Sequence, residues 1–226
     1  MTILCIETST SVCSAAICKD GAPIKQCICL EGSNHARLLP RYIDELLSFA
    51  REQGCTIEAV ALSEGPGSYT GLRIGASTAK GLCYGLNVPL IPVPTLDVLC
   101  EAAKSKIENR ESKIVLIPMI DARRMEVYTM IDGETKAVVV ENEQSLYTGN
   151  EDVYYFGDGA AKCAKIFTKP NWHYIPDIVP EAKYVGALAE NRKSIIDNRA
   201  SVDIAYYEPF YLKEFIAAQS HVKGLK

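Results

Sequence analysis

The sequence predicts an α/β protein made of two related halves. Three observations predict it: a three-stranded meander opens the chain, helices then alternate with buried strands, and a second meander of the same layout begins about a hundred residues later. The 226 residues suffice for one large core or two small ones. With 48% apolar and 23% charged residues, the chain buries enough surface to fold.

The first meander begins with a continuous apolar run over residues 3–6, typical of a strand covered on both faces, and the run ends in Glu7. Residues 12–17 predict a second strand. The following Asp20-Gly21 turn predicts a hairpin that returns over residues 23–30.

The second meander repeats this layout: an apolar strand over 114–120 ends in Asp121, and two further strands over 127–131 and 137–140 flank an Asp-Gly turn. We interpret the repeat as two related halves. The alternative is that any two meanders look alike.

Helices and buried strands alternate between the meanders. Ser33 and Thr95 are predicted to cap the first and third helices. The predicted elements are a helix over 34–52, a strand over 57–63, a loop over 65–71, a helix over 72–86, a strand over 89–93 and a helix over 95–107.

The charged, apolar-poor segment 108–113 is the predicted domain boundary. It separates a first domain, 1–107, from a second, 108–203, and residues 204–226 are expected to pack back on the first domain. Within the second domain the sequence also predicts a strand over 153–156 and helices over 160–167 and 181–196.

The composition excludes several classes of protein. The formal net charge of −4 is the opposite of what an autonomous nucleic-acid binder needs. Nine cysteines without a CxxC pair argue against a disulfide framework or a zinc site. Glu7 interrupts the first apolar run, which argues against a signal peptide, and no stretch is long enough to span a membrane. We therefore expect a reduced, cytoplasmic protein.

The glycine-rich loop, GPGSYTG at 65–71, lies between a strand and a helix, where phosphate-binding loops occur. Its GxGxxxG spacing is not that of a dinucleotide fingerprint, and it lacks the lysine of a P-loop. The alternative is a tight turn in which Ser68 or Thr70 caps the next helix.

Small residues at positions 71, 75 and 79 recur every fourth residue on that next helix, although an interior glycine costs ~1 kcal/mol relative to alanine. Beside it, the helix over 34–52 has a broad apolar face. The two helices therefore predict a partner interface, with ordinary core packing as the alternative. The predicted partner-binding residues are Leu38, Leu39, Tyr42, Leu46, Tyr69, Leu72, Arg73, Gly75, Ala76 and Ala79.

Two acids end predicted strands. Glu7, beside a Thr/Ser turn, is a candidate for holding a metal or water near a phosphate. Asp121 precedes Arg123 and Arg124, one of which is expected to pair with it, as an internal salt bridge or across a cleft.

The three histidines, His35, His173 and His221, lack metal-ligand spacing and are expected to be surface or cap residues. Ser68 has no nucleophile elbow around it, which argues against a serine hydrolase.

Several of these segments resemble the TsaB family of bacterial tRNA threonylcarbamoyladenosine biosynthesis proteins. The specific motif is GPGSYTGLRIG at 65–75, and ILCIETS at 3–9, the segment 88–93 and Asp121-Ala122-Arg123 also fit. The resemblance implies an actin-like ATPase (ASKHA) fold with two ribonuclease-H-like halves. It implies a relative of TsaD, the transferase that modifies tRNA.

TsaD-like proteins carry a His-x-x-x-His metal motif where this chain has Thr95 and Leu99. The resemblance therefore implies no catalytic residues, no metal site and no catalysis by the chain alone. It implies instead a subunit of a tRNA N6-adenosine threonylcarbamoyltransferase complex, with a TsaD-like transferase and a TsaE-like ATPase as partners, a homodimer when alone, and tRNA contact only through the complex.

No cofactor is expected to bind tightly. Weak binding of ATP or ADP with Mg²⁺ is left open at Glu7, Thr8, Ser9 and Ser11. The alternative function is a small-molecule kinase of the actin-like fold or a nucleotide-binding module.

Overall fold

The computed structural model describes residues 1–32, 34–107, 113–192 and 202–213, and it confirms the mixed α/β class. The predicted cap Ser33, His221 and nearly all of the predicted linker lie outside the described residues.

The first sheet has five strands, in the order β3-β2-β1-β4-β5. Strands β1, β2 and β3 form an antiparallel meander, and β4 and β5 run parallel to β1. All six residues of β1 are buried, as its unbroken apolar sequence predicts. The strands are β1 (Thr2–Glu7), β2 (Cys13–Lys19), β3 (Ala22–Cys29), β4 (Ala59–Gly65) and β5 (Leu90–Pro94).

Five α-helices are described: α1 (His35–Glu52), α2 (Tyr69–Leu86), α3 (Thr95–Lys104), α4 (Ala160–Cys163) and α5 (Ala182–Asn191). Helices α1 and α2 cover one face of the first sheet, where Leu4 and Ile6 point into the core. Helices α3 and α5 cover the other face, where Ile3 and Cys5 pack against Val185.

The position of α5 differs from the sequence interpretation, which grouped these residues with the second domain. Their small and branched side chains, Ala182, Val185 and Ala189, fill the face of the first sheet instead. The chain thus returns to the first sheet after forming the strands that follow α3. The domain boundary itself stays a prediction.

Residues 113–175 contain two three-stranded sheets, β11-β10-β6 and β7-β8-β9, and are called the second half below. The sequence predicted one strand over 114–120, but the structure interrupts it at Met119, whose N–H donates to the Phe156 carbonyl at 2.8 Å. The strands are β6 (Ile114–Pro118), β7 (Ile120–Asp121), β8 (Glu126–Ile131), β9 (Glu134–Val139), β10 (Asp152–Phe156) and β11 (Trp172–Ile175).

The start of one helix and the cap of another also differ from the sequence prediction. Helix α2 begins three residues earlier, because Ser68 caps it by accepting the Gly71 N–H at 3.3 Å. Thr95 does not cap α3, since its hydroxyl faces back to Ser63 at 2.8 Å and to the Gly65 N–H at 3.1 Å. Helix α4 is shorter than its predicted range, 160–167.

The described C-terminal segment, residues 202–213, crosses α2 and is called the strap below. Tyr207 is buried in the core under α1 and α2. The Lys80 ammonium donates to the carbonyls of Ala205 at 3.0 Å and Tyr207 at 3.2 Å. The Phe210 N–H donates to the Glu64 carbonyl at 2.8 Å. Residues 205–210 of the strap therefore pack on α2 and on the end of β4.

Candidate functional site

A cleft of about 510 Å³ lies between the carboxyl ends of the first sheet and the second half. Three parts of the chain line it: the turn after β1 with the start of α2, the region around Asp121, and the strap. Its lining residues are Ser9, Thr10, Ser11, Gly67, Ser68, Tyr69, Thr70, Ile120, Asp121, Ala122, Arg123, Tyr128, Asp158, Phe210, Tyr211, Leu212 and Lys213.

The glycine-rich loop forms the first wall by packing on the turn after β1. The Ser68 N–H donates to the Ser9 carbonyl at 2.6 Å, and the Thr8 hydroxyl donates to the Gly71 carbonyl at 2.9 Å. A Cβ at Gly67 or at Gly71 would overlap the carbonyl oxygen of Ser9 or Thr8, respectively. These contacts favour the tight turn over a phosphate loop.

Glu7 lies beneath this wall. It is fully buried, and its Oε1 accepts the Ser9 N–H at 2.6 Å and the Ser9 hydroxyl at 2.5 Å. Burial raises the pKa of Glu7, and the hydrogen bonds from its serine neighbours oppose that shift. Of the four predicted nucleotide-binding residues, only Ser9 and Ser11 line the cleft. Glu7 orients the turn that carries them.

The second wall is organised by Asp121. Its carboxylate pairs with Lys162, whose ammonium also donates to the Glu126 carbonyl at 2.6 Å. The sequence prediction that an arginine pairs with Asp121 is wrong in this structure. Arg123 contributes only its backbone N–H, at 3.2 Å.

Asp158 follows β10 and links the end of that strand to the end of β7, since its Oδ1 accepts the Asp121 N–H at 2.9 Å. Burial raises the pKa of Asp158. Lys162 and Asp158 were missed by sequence reasoning because they lie 41 and 37 residues from Asp121. Only strand pairing brings them together.

The strap closes one end of the cleft. The Tyr211 ring lies 5.1 Å from the Tyr69 ring, and the Arg73 guanidinium lies 4.7 Å from the Tyr69 ring centre. Lys213 pairs with Glu126 of the second half. Both halves therefore hold the strap.

The two described histidines are accounted for by contacts within the chain. His35 is buried, with its Nε2 3.1 Å from the Val12 carbonyl, so the expectation of a surface or cap residue is wrong for it. His173 is partly exposed, with its Nε2 3.0 Å from an Asp152 oxygen. Within the described ranges, no three His, Cys, Asp or Glu side chains are placed to hold a metal ion.

Six of the ten predicted partner-binding residues are buried inside the chain, as the alternative of ordinary core packing expects, and their role in partner binding stays a prediction. Gly75 faces the sheet, because a Cβ there would overlap the Thr8 hydroxyl. Leu38, Tyr42 and Tyr69 are partly buried, and Arg73 is exposed. The six buried residues are Leu39, Leu46, Leu72, Gly75, Ala76 and Ala79.

The outward face of α2 carries Arg73, Ser77, Gly81 and Tyr84, all exposed. Tyr84 is 84% exposed, and a Cβ at Gly81 would meet no atom within 4 Å. Of these four residues only Arg73 was predicted to bind a partner, because the row of Gly71, Gly75 and Ala79 was interpreted as the outer face of the helix. Among the described residues, no helix is both long and apolar enough to cross a bilayer.

Comparisons with known proteins first place the chain in a class, that of the TsaD-like proteins. Residues 30–218 match the family model described as "TsaD: tRNA N6-adenosine threonylcarbamoyltransferase". Two solved structures from Pseudomonas aeruginosa share the fold: one titled "YeaZ from Pseudomonas aeruginosa" has a TM-score of 0.70 at 25% identity over 93% of this chain and 99% of that one. The other, titled as an uncharacterized protein with similarity to peptidase YEAZ, has a TM-score of 0.71 at 23% identity over 94% and 99%.

Curated relatives then show to which family within this class the chain belongs. The tRNA threonylcarbamoyladenosine biosynthesis protein TsaB of Haemophilus influenzae is 36% identical over 94% of each chain. TsaB of Escherichia coli is 36% identical over 57% of this chain and 53% of its own length. The chain belongs to the TsaB family of tRNA threonylcarbamoyladenosine biosynthesis proteins.

Proposed function

We propose that the chain is a non-catalytic subunit required for threonylcarbamoyladenosine formation in tRNA, where it binds and supports a TsaD-like transferase together with a TsaE-like ATPase. The observation that carries this proposal is the start of α3. Thr95 and Leu99, which stand where the resemblance places two histidines in TsaD-like proteins, are 0% and 1% exposed. The Thr95 hydroxyl is hydrogen-bonded to the Ser63 hydroxyl and accepts the Gly65 N–H, and Leu99 packs in the core.

The strand order supports an actin-like fold with two ribonuclease-H-like halves. The first sheet has the order β3-β2-β1-β4-β5. In the second half, joining β7 to β6 through Met119 gives β9-β8-β7/β6-β10-β11, which is the same connectivity. In this proposal α5 and the strap belong to the first half, on which they pack.

The proposed partner surface is the outward face of α2 together with the neighbouring exposed part of α1. Tyr84 supplies a large exposed ring, and Gly81 leaves the backbone open for close approach. Arg73 lies at one end of this face, over the Tyr69 ring. A homodimer formed by the chain alone would use the same surface.

The net charge of −4 supports tRNA contact through the complex rather than by this chain alone, since binding RNA releases counterions from cationic surface. All nine cysteines are free thiols, in keeping with a reducing cytoplasm. Any ATP or ADP with Mg²⁺ would bind weakly, at Ser9 and Ser11 in the cleft.

The test is reconstitution of tRNA modification with the cognate transferase and ATPase, with and without this chain. Modification is expected only when the chain is present, and the chain alone is expected to give none. Gly81→Leu and Tyr84→Ala are expected to keep a cooperative melt and to lose co-elution with the transferase. Tyr206→Ala, at an 85% exposed tyrosine of the strap, is the matched control and is expected to co-elute normally. Full modification without the chain would refute the proposal.

A further inference from the structure

Two cysteines oppose each other across the antiparallel pair of β2 and β3. In the ladder, Cys13 is the direct partner of Cys29, so both side chains lie on the same face of the sheet. Directly opposed residues have Cα atoms ~4.5 or ~5.5 Å apart, and disulfides span Cα separations of ~4.4–6.8 Å. The backbone therefore already holds the two residues within disulfide range.

The two thiols differ in access. Cys13 is 0% exposed under α1, whereas Cys29 ends β3, is only partly buried, and donates to the Glu31 carbonyl at 3.1 Å. Burial, then the neighbouring Cys29, then Glu7 raise the pKa of Cys13 to about 12. Because almost none of Cys13 is in the thiolate form at neutral pH, Cys13 is not the thiol that reacts first with an oxidant. Cys29 is the exposed end of the pair.

The neighbouring thiols lack this arrangement. Cys27, on the same face of β3, opposes Ala15 rather than a thiol. Cys5 and Cys18, on the other face, oppose Ala16 and Ile3 and are both 0% exposed. Gly186 of α5 covers both of their sulfur atoms. Cys13 and Cys29 thus combine direct opposition with an accessible sulfur.

We propose that Cys13 and Cys29 are a peroxide-sensitive pair, with Cys29 as the reacting thiol and Cys13 as the resolving thiol. The Cys29 thiolate attacks one oxygen of hydrogen peroxide, breaking the O–O bond and releasing hydroxide, which takes up a proton to become water; Cys29 becomes a sulfenic acid. The Cys13 sulfur then displaces the hydroxyl group, its thiol proton leaves with that group as a second water, and a disulfide forms.

The second step depends on pH through Cys13. The titratable groups that face it are Cys29 on β3, Glu7 at the end of β1, and Tyr42 of α1, whose pKa is raised by burial and by these thiols. Because the attacking form is the thiolate, the rate of disulfide closure is expected to rise about tenfold per pH unit below the Cys13 pKa. Sulfenic acid at Cys29 should therefore persist at neutral pH.

The experiment treats the full chain with one equivalent of hydrogen peroxide, blocks the remaining thiols after denaturation, and maps the linkage by mass spectrometry. Cleavage after Lys19 and Lys25 separates Cys13 from Cys29, and fragment ions distinguish Cys29 from Cys27. Wild type and Cys27→Ser are expected to show the Cys13–Cys29 bond, in a yield that rises from pH 7 to pH 9. Cys29→Ser should lose the bond at both pH values, and Cys13→Ser should leave, even at pH 9, a sulfenic acid that dimedone traps.

A linkage through Cys27, a linkage between Cys5 and Cys18 alone, or no linkage at any pH from 7 to 9 would overturn the proposal. The wild-type fragment ions decide this even where a serine variant does not fold.

Discussion

Replacing glycine by alanine at two positions of α2 makes the same chemical change in two surroundings. Away from tertiary contacts each replacement stabilises a helix by ~1 kcal/mol. At Gly81 the added methyl group meets no atom within 4 Å. Gly81→Ala is therefore expected to raise the free energy of unfolding by the full ~1 kcal/mol.

At Gly75 the same methyl group would overlap the Thr8 hydroxyl and lie 3.0 Å from the Leu62 Cδ1. Overpacking costs ~1–3 kcal/mol. Displacing the buried Thr8 hydroxyl also breaks its 2.9 Å hydrogen bond to the Gly71 carbonyl, which costs a further ~1–3 kcal/mol. After the helix gain is added back, Gly75→Ala is expected to lower the free energy of unfolding by ~1–5 kcal/mol.

Urea denaturation of the two variants and wild type, followed by circular dichroism, measures the difference. The thermal midpoints should separate in the same order, by ~2–4 °C per kcal/mol for a chain of this size. Equal stability of Gly75→Ala and Gly81→Ala would refute the packing of α2 on the β1 turn, because the calculation rests on that contact alone.

Four further substitutions test three individual residues. Burial raises the pKa of Glu7, so the native state favours the protonated form of this side chain. Protonated Glu7 therefore stabilises the native state fully below the ordinary glutamate pKa, and this stabilisation is lost as the pH rises through the raised pKa. Glu7→Gln should therefore flatten that loss in unfolding titrations between pH 4 and 8, and an unchanged profile would contradict the assignment. Tyr207→Phe removes a buried hydroxyl that has no partner among the described residues, so stability should stay equal or rise by up to ~1 kcal/mol, whereas Tyr207→Ala should cost ~3–5 kcal/mol in the same melts. Leu46→Arg places an unpaired charge at a 0% exposed position and should unfold the chain; a cooperative melt near that of wild type would put Leu46 at the surface.

Local patterns predicted much of the first half, because its signals are short in range. The apolar run before Glu7, the Asp20-Gly21 turn and the cap at Ser68 each act within a few residues, and all three features are present in the structure. The packing direction of α2 was not predictable in this way. A helix that is apolar on most sides, with two rows of small residues, does not reveal which row meets its own sheet. The contact of Gly75 with Thr8 decides it.

The structure of the second half was less predictable, because it depends more on contacts between residues that are far apart in the sequence. The interruption at Met119 follows from its bond to Phe156, and the partner of Asp121 is Lys162, on α4. Neither contact produces a periodic pattern of residues from which it could be predicted. The burial of His35 was missed for the same reason, since it depends on the carbonyl of Val12, which lies just before β2 and 23 residues away in the sequence.

The return of α5 to the first sheet has a consequence for synthesis of the protein on the ribosome. After β5 and α3 emerge, one face of the completed sheet, with Ile3, Cys5 and Ala16, still lacks α5, the second of the two helices that cover it. Ala182 is synthesised roughly 4–16 s later at ~5–20 residues per second. During that interval the nascent chain displays an apolar surface, which makes this stage the one at which chaperones are expected to bind it.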